Sequence, residues 1–296
     1  MIGSGGNSYF LGRVDDRDKL YGEVTFLYPC LRIVIACQYK AGKLVTGHYG
    51  TLAKVSLSHK GGLPRLEFSS TIGREVFYDP PSCFSIGRHP LETDQYEDDT
   101  VYVAPSGVPG AGEGLFARRD IRGGDLVSLF SGTKIYKENN KRSIKFGDEE
   151  WSDFRLLHAH SVSQLADWPP HFRLTLDKSV DLDVGPEARS CSQYRATLGH
   201  KACHSFEMKN AAFREFEHPR FGRIMSVVAV RDIRRDEEVF VSYNYSVSHA
   251  PDWYQELWFR HCVTRGWTRQ MISDWAEREV ARWGVPINIP QFILDM

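Results

Sequence analysis

Leu198-Gly199-His200-Lys201-Ala202-Cys203-His204-Ser205-Phe206 and, further along, Glu238-Val239-Phe240-Val241-Ser242-Tyr243-Asn244-Tyr245 are the stretches that decide how this chain is read. In the first, Cys203 beside His204 suggests a nucleophile and its base. Neighbours on an extended chain point to opposite sides, so the two are badly placed to act on each other. By itself the second reads as an edge strand carrying packed tyrosines. A third stretch lies upstream: Gly110-Ala111-Gly112-Glu113-Gly114-Leu115-Phe116-Ala117, followed by Asp120-Ile121-Arg122-Gly123-Gly124-Asp125-Leu126-Val127. Its glycines let the backbone approach a ligand closely. It lacks the Gly-Lys-Ser/Thr of a phosphate-binding loop, and no βαβ context follows it. Taken alone it is a tight turn.

Working outward, residues 101–245 alternate short strands and turns and end on the apolar run Ile224–Val230 and on Glu238–Tyr243. A polar, partly helical segment interrupts them at 136–167, a length that suggests a surface insertion. Upstream, residues 9–78 read as β-structure, with alternating runs such as Gly22–Tyr28 separated by Gly, Pro and Asp. Leu31–Cys37 is apolar but short and reads as a buried strand. Residues 79–100 look like a linker that holds the acidic stretch Glu92–Asp99, and a charge run of this kind is usually a solvated face. From Pro251 the period changes. Trp253, Leu257, Trp258 and Cys262 fall at helical spacing, and Met271, Trp275 and Val280 suggest a second helix, broken by Gly284 and Pro286. The fold class expected is mainly β with a C-terminal helical segment, 251–296.

The bulk properties fit a globular protein of 296 residues, 42% hydrophobic and 25% charged, with a net charge of −1. That balance gives no global electrostatic case for nucleic-acid binding. The six cysteines form neither a C-x-x-C nor a C-x-C pair, so zinc-cluster spacing is absent and a reducing compartment is expected. His158-Ala159-His160 has no evident carboxylate or cysteine partner and reads as a loop, not a metal pair. No stretch is long and apolar enough to span a membrane.

Gly-x-Gly-Leu-Phe, then Gly-His-x-x-x-His-Ser-Phe, then Glu-x-x-x-x-Tyr-x-Tyr, in that order, resemble the signature of SET-domain protein lysine methyltransferases. Leu20–Pro29 and Tyr39–Gly47 are similar to each other and resemble MORN repeats. Val101–Ala104, His218–Gly222 and Asp252–Gln255 narrow the likeness to the subfamily that joins MORN repeats to a SET domain. The resemblance implies an antiparallel MORN-type β-domain at 9–78, a knotted SET domain at 101–250 and closure by a C-terminal helix. It implies S-adenosyl-L-methionine (AdoMet) as cofactor, no metal, and a protein or peptide substrate with a target lysine, a histone among the candidates. It also implies a monomer, with no membrane or direct nucleic-acid partner, in the nucleus or cytoplasm. Ala111, Gly112 and Glu113 would meet the methionine end of AdoMet, and His204 the adenine through its backbone. Gly199 and His200 would shape the chain crossing, and Trp253 would cover the adenine. Tyr243 would be the central hydroxyl beside the reacting amine, with Tyr245 lining the lysine channel.

The chain departs from the family pattern at several positions. Cys203 stands where the family has an Asn that helps hold AdoMet, and a thiol cannot replace the amide's hydrogen bonds. Phe130 and Phe213 stand at channel tyrosine positions, Phe172 at an Asn and Thr175 at a Ser. In the C-terminal helix, Leu257 takes the place of a Glu. Two readings follow: an active enzyme with altered product specificity, or a catalytically impaired SET scaffold that binds a partner peptide. A MORN-based membrane or cytoskeletal adaptor is disfavoured, because the β-domain lacks a basic run and has too few repeats.

Overall fold

The alternation of apolar and polar residues in Leu20–Leu27 (β3) and Ile33–Lys40 (β4) produces two paired antiparallel strands, with Val24 opposite Cys37 and Phe26 opposite Ile35. In β4 the pattern is strict after its first residues: Ile33, Val34, Ile35, Cys37 and Tyr39 are buried, while Ala36, Gln38 and Lys40 face outward. The computed structural model describes residues 2–56, 65–68, 73–138, 141–143 and 173–296. Ile2–Gly5 (β1), Ser8–Val14 (β2), β3, β4, Lys43–Ser56 (β5) and Arg65–Phe68 (β6) follow one another across an antiparallel sheet, and Glu75–Val76 (β7) also pairs with β5. The β4–β5 hairpin turns at Ala41 and Gly42, with φ of 49° and 76°. Two consecutive positive φ values are the type I′ turn that matches strand twist.

The apolar face of this sheet does not stand by itself. Phe10, Phe26 and Tyr28 belong to one hydrophobic core with Leu126, Leu129, Phe216, Phe221 and Ile224. Residues Met1–Cys203 and Asn210–Val239 accordingly form one compact unit. Its other strands are Val101–Pro105 (β8), Glu113–Ala117 (β9), Leu126–Phe130 (β10), Thr133–Glu138 (β11), Lys141–Ser143 (β12), Arg173–Thr175 (β13), Val180–Asp183 (β14), Cys203–His204 (β15, whose first residue belongs here), Ala211–His218 (β16) and Gly222–Ala229 (β17). They build the hairpin β8–β9 and the sheets β10-β17-β16 and β12-β11-β14-β13. Register in the second of these sets Phe213 opposite Val227 and Phe130 opposite Met225.

The acidic stretch differs from its expected solvated character. Gln95–Thr100 is a short helix (α1), and both Asp94 and Glu97 are fully buried. Asp94 caps the helix through Tyr96 and Glu97 backbone N–H groups. Its other oxygen accepts from the Tyr28 and Tyr49 hydroxyls, each at 2.6 Å, with His218 at 3.4 Å. Burial opposes its charge, but His218 and the two phenols outweigh it and hold its pKa low, at about 2. The charge is accepted inside because donors from strands remote in sequence converge on it.

A second compact unit comprises His204–Lys209 and Phe240–Met296, which includes Phe240–Val241 (β18). Its helices are Asp252–Thr264 (α2), Arg269–Trp283 (α3) and Gln291–Leu294 (α4). The helical spacing read from Trp253 to Cys262 is realised in α2, and that from Met271 to Val280 in α3. Thr268 caps α3 by accepting from Met271 N–H, and Gly284 ends it in the left-handed region at φ 66°. Phe259, Cys262, Ile272 and Ile293 form the core of this unit. Trp258 packs on Trp275 with centroids 4.1 Å apart, so the tryptophan-rich face serves packing. Among the described residues no helix is long and apolar enough to cross a membrane.

Candidate functional site

The residues singled out from sequence divide between the two units. In the first, Ser106 N–H donates to the Gly112 carbonyl at 2.8 Å, and Ala111 N–H to the Val108 carbonyl at 3.1 Å, which closes a turn before β9. Gly112 has φ of +76° with nothing within 4 Å of a would-be Cβ, so it is needed for its backbone conformation and not for space. Gly114 is needed for space: a Cβ there would lie 2.4 Å from a Glu238 oxygen.

Glu113 opens β9 with its side chain 51% exposed, and its carboxylate pairs with Lys201 Nζ at 2.7 Å. Lys201 is itself 6% exposed and also donates to the Arg189 carbonyl. Cys203 is buried, with Sγ 3.5 Å from Ser106 Oγ and 3.6 Å from the Glu113 carbonyl. Ser106 donates in turn to Glu238 Oε1 at 2.5 Å, and Gly107 N–H donates to Glu238 Oε2 at 2.9 Å. Burial pushes the Cys203 thiol upward, so it stays protonated and works as a weak donor in this chain of bonds.

Phe130 and Phe213, which stand at the two channel tyrosine positions, meet edge to face with centroids 5.7 Å apart. Phe130 is buried and Phe213 is half-buried. Thr175 is exposed, and its hydroxyl donates to Asp181 at 2.9 Å. Phe172 lies outside the described residues, as does the His158/His160 pair.

In the second unit the material is aromatic. His204 is 5% exposed, and its ring is packed by Phe206, Tyr254 and Tyr243 at centroid distances of 4.3, 4.6 and 5.3 Å. Trp253 lies farther out, 6.4 Å from His204 and 39% exposed. His204 Nδ1 accepts the Tyr243 backbone N–H at 3.3 Å, and Ser205 N–H donates to the Val241 carbonyl at 3.1 Å. Burial pushes the His204 pKa down to about 4, so the ring is neutral at neutral pH. Its Nε2 is buried with no hydrogen-bond partner among the described residues. Tyr243 and Tyr245 are half-buried with centroids 5.5 Å apart, and Tyr245 packs on Tyr254 at 5.1 Å.

The structure thus brings Ala111, Gly112, Glu113 and Cys203 together in one unit, and His204, Tyr243, Tyr245 and Trp253 in the other. Sequence reasoning missed Ser106, Lys201, Glu238 and Tyr254. Lys201 and Glu238 lie inside motifs quoted for other residues, and Tyr254 was overshadowed by Trp253 beside it. Ser106 gives no signal of its own, since its part depends on Glu238 arriving from a distant strand end.

Residues 112–244 match the family model of the SET domain. Over 257 residues the chain is 27% identical to the Histone-lysine N-methyltransferase SETD7 of Halocynthia roretzi. That match takes in 83% of this chain and spans 60% of the length of the relative. Residues 112–244 are therefore similar to a SET domain, and most of the chain is similar to a histone-lysine N-methyltransferase.

Proposed function

We propose that the chain is an AdoMet-dependent protein-lysine N-methyltransferase acting on a lysine of a protein or peptide, with histones among the candidate substrates. The observation that carries this reading is the aromatic group around His204. Tyr243 and Tyr245 form a half-buried pair, and the backbone of Tyr243 is fixed by the His204 ring. AdoMet, when bound, supplies an activated methyl group. The residues present fit it. Glu113 offers a half-exposed carboxylate for an ammonium, and Gly112 leaves its Cβ direction open. In this reading Ala111, Gly112, Glu113, Cys203 and His204 hold the cofactor, and Trp253 covers it.

Lysine must lose its proton before it can act as a nucleophile, and its free pKa is about 10.4. Aromatic walls from Tyr243, Tyr245, Phe130 and Phe213 would desolvate the ammonium and lower that value. The Tyr243 hydroxyl would align the amine. Alignment and electrostatics supply the acceleration, without a covalent enzyme intermediate. Phenyl rings at Phe130 and Phe213 offer no hydrogen bond to the amine or its water, which leaves room for more than one methyl group. The N-terminal sheet is read as MORN-like. The protein works as a monomer in the nucleus or cytoplasm, with no membrane or nucleic-acid partner.

A second reading, a SET scaffold that binds a peptide without catalysis, is favoured by Cys203. Its thiol offers none of an amide's paired donor and acceptor, and its partners Ser106 and Glu113 lie within the chain. AdoMet titration by calorimetry, with Glu113→Ala as control, separates the two. Micromolar binding that the control weakens supports the enzyme. No binding at millimolar AdoMet, in folded protein, supports the scaffold.

A further inference from the structure

Glu97 is a fully buried acid with no part in the site described above. Its Oε1 accepts from the Ser128 hydroxyl, from Leu129 N–H at 2.9 Å and from Leu198 N–H at 3.1 Å. Its Oε2 has no hydrogen-bond partner among the described residues. One oxygen on α1 therefore ties strand β10 to the start of the segment that ends at Cys203. The next residue, Gly199, is pressed against the same strand, where a Cβ would lie 2.6 Å from the Leu129 carbonyl. From Leu198 the chain makes one tight turn, with Lys201 N–H on the Leu198 carbonyl at 2.9 Å and Ala202 N–H on the Gly199 carbonyl at 3.2 Å. That turn delivers Lys201 Nζ to the Glu113 carboxylate and Cys203 Sγ to the Glu113 carbonyl.

We propose that Glu97 is a positioning residue for cofactor binding: by accepting from Leu129 and Leu198 together, its carboxyl sets where the Leu198–Cys203 turn meets Glu113. The inference rests on the AdoMet reading for its affinity readout. The groups that act most on Glu97 are Asp94 at the cap of its own helix and the Ser128 hydroxyl on β10, and Glu97 acts in turn on the phenols of Tyr28 and Tyr194. Burial pushes its pKa up. The Ser128, Leu129 and Leu198 bonds pull back, the Asp94 charge adds to the rise, and the result is about 8. Glu97 is thus a neutral acid at pH 7. As pH rises through about 8 it ionises: burial opposes the charge, while the three donors on Oε1 favour it.

The test uses the full chain as wild type, Glu97→Gln and Glu97→Leu. Two quantities are followed from pH 6.5 to 9.5: AdoMet affinity by calorimetry, and exchange of the Leu198 and Leu129 amide hydrogens without cofactor. Leucine removes the acceptor for both amides, so we expect AdoMet to bind on the order of tenfold more weakly and both amides to exchange faster. Glutamine keeps an acceptor oxygen and cannot ionise. It should restore affinity at pH 7 to within about threefold and remove the part of the wild-type pH dependence centred near 8. Two results would overturn the proposal: unchanged Leu198 exchange in folded Glu97→Leu, or identical pH curves for wild type and Glu97→Gln. If the leucine variant does not fold, the glutamine comparison decides. If wild type binds no AdoMet at any pH, the cofactor reading fails, and the exchange measurements still decide whether Glu97 holds the turn.

Discussion

The two groups of candidate site residues are built from opposite materials. Around Glu113 every position is fixed by charge and hydrogen bonds: Lys201 on its carboxylate, Cys203 on Ser106, Ser106 on Glu238. Around His204 the positions are fixed by rings, with Phe206, Tyr243, Tyr254 and Trp253 packed on or near one imidazole. The difference teaches where divergence can be absorbed. A polar constellation works through particular atoms, so replacing one group calls for a new partner, as the Cys203 thiol finds in Ser106. An aromatic cluster works through area and shape.

The comparison breaks first at Tyr243. If Tyr243 serves the reacting amine while other residues hold the cofactor, Tyr243→Phe should lower kcat by about 10²-fold or more while leaving the AdoMet Kd unchanged. Steady-state methyl transfer beside calorimetry reads both, and equal losses in the two would sink the division. Acid comes next. The His204 pKa is depressed to about 4, so its neutral ring contributes stability that is present above the ordinary histidine value near 6.5 and lost as pH falls through 4. Thermal melts from pH 7 to 4 should fall more steeply in wild type than in His204→Asn, and parallel curves would remove the imidazole from the account. A gain is expected at Cys203. Cys203→Asn restores an amide and should tighten AdoMet by about three- to tenfold, the worth of one hydrogen bond; weaker binding would mean that the Ser106 and Glu238 network has closed around the thiol. The smallest effect is expected in the N-terminal sheet. Ala41 is exposed at φ 49°, where a Cβ is strained and Asn is tolerated. Ala41→Asn should add about 0.5–1 kcal/mol to unfolding stability, read by chemical denaturation, without changing AdoMet affinity.

Much of this was legible in residue order. The period of two in Ile33–Lys40 and the period of 3.6 after Pro251 announced their own elements, because burial on one face writes itself into a local pattern. The acidic stretch misled for the opposite reason. Nothing local distinguishes Asp94 and Glu97, which are buried, from Asp98 and Asp99, which are exposed. The tyrosines and backbone amides that make their burial tolerable arrive from 32 to 101 residues away. The family resemblance points to Trp253, yet the fully packed ring is its neighbour Tyr254, 2% exposed.

What the sequence by itself determined is the kind of protein and the order of its parts: a mainly β chain, a SET signature in ordered segments, and helices at the end. Those properties depend on local periodicity and on motifs that survive as strings. What only the tertiary structure decided is which side chains have partners. It put Lys201 on Glu113, supplied Ser106 and Glu238 to Cys203, and gave two acids on one helical turn opposite charge states, Asp94 ionised and Glu97 neutral. A carboxyl's charge follows from the donors and the water around it, and those are set by elements far apart in the chain.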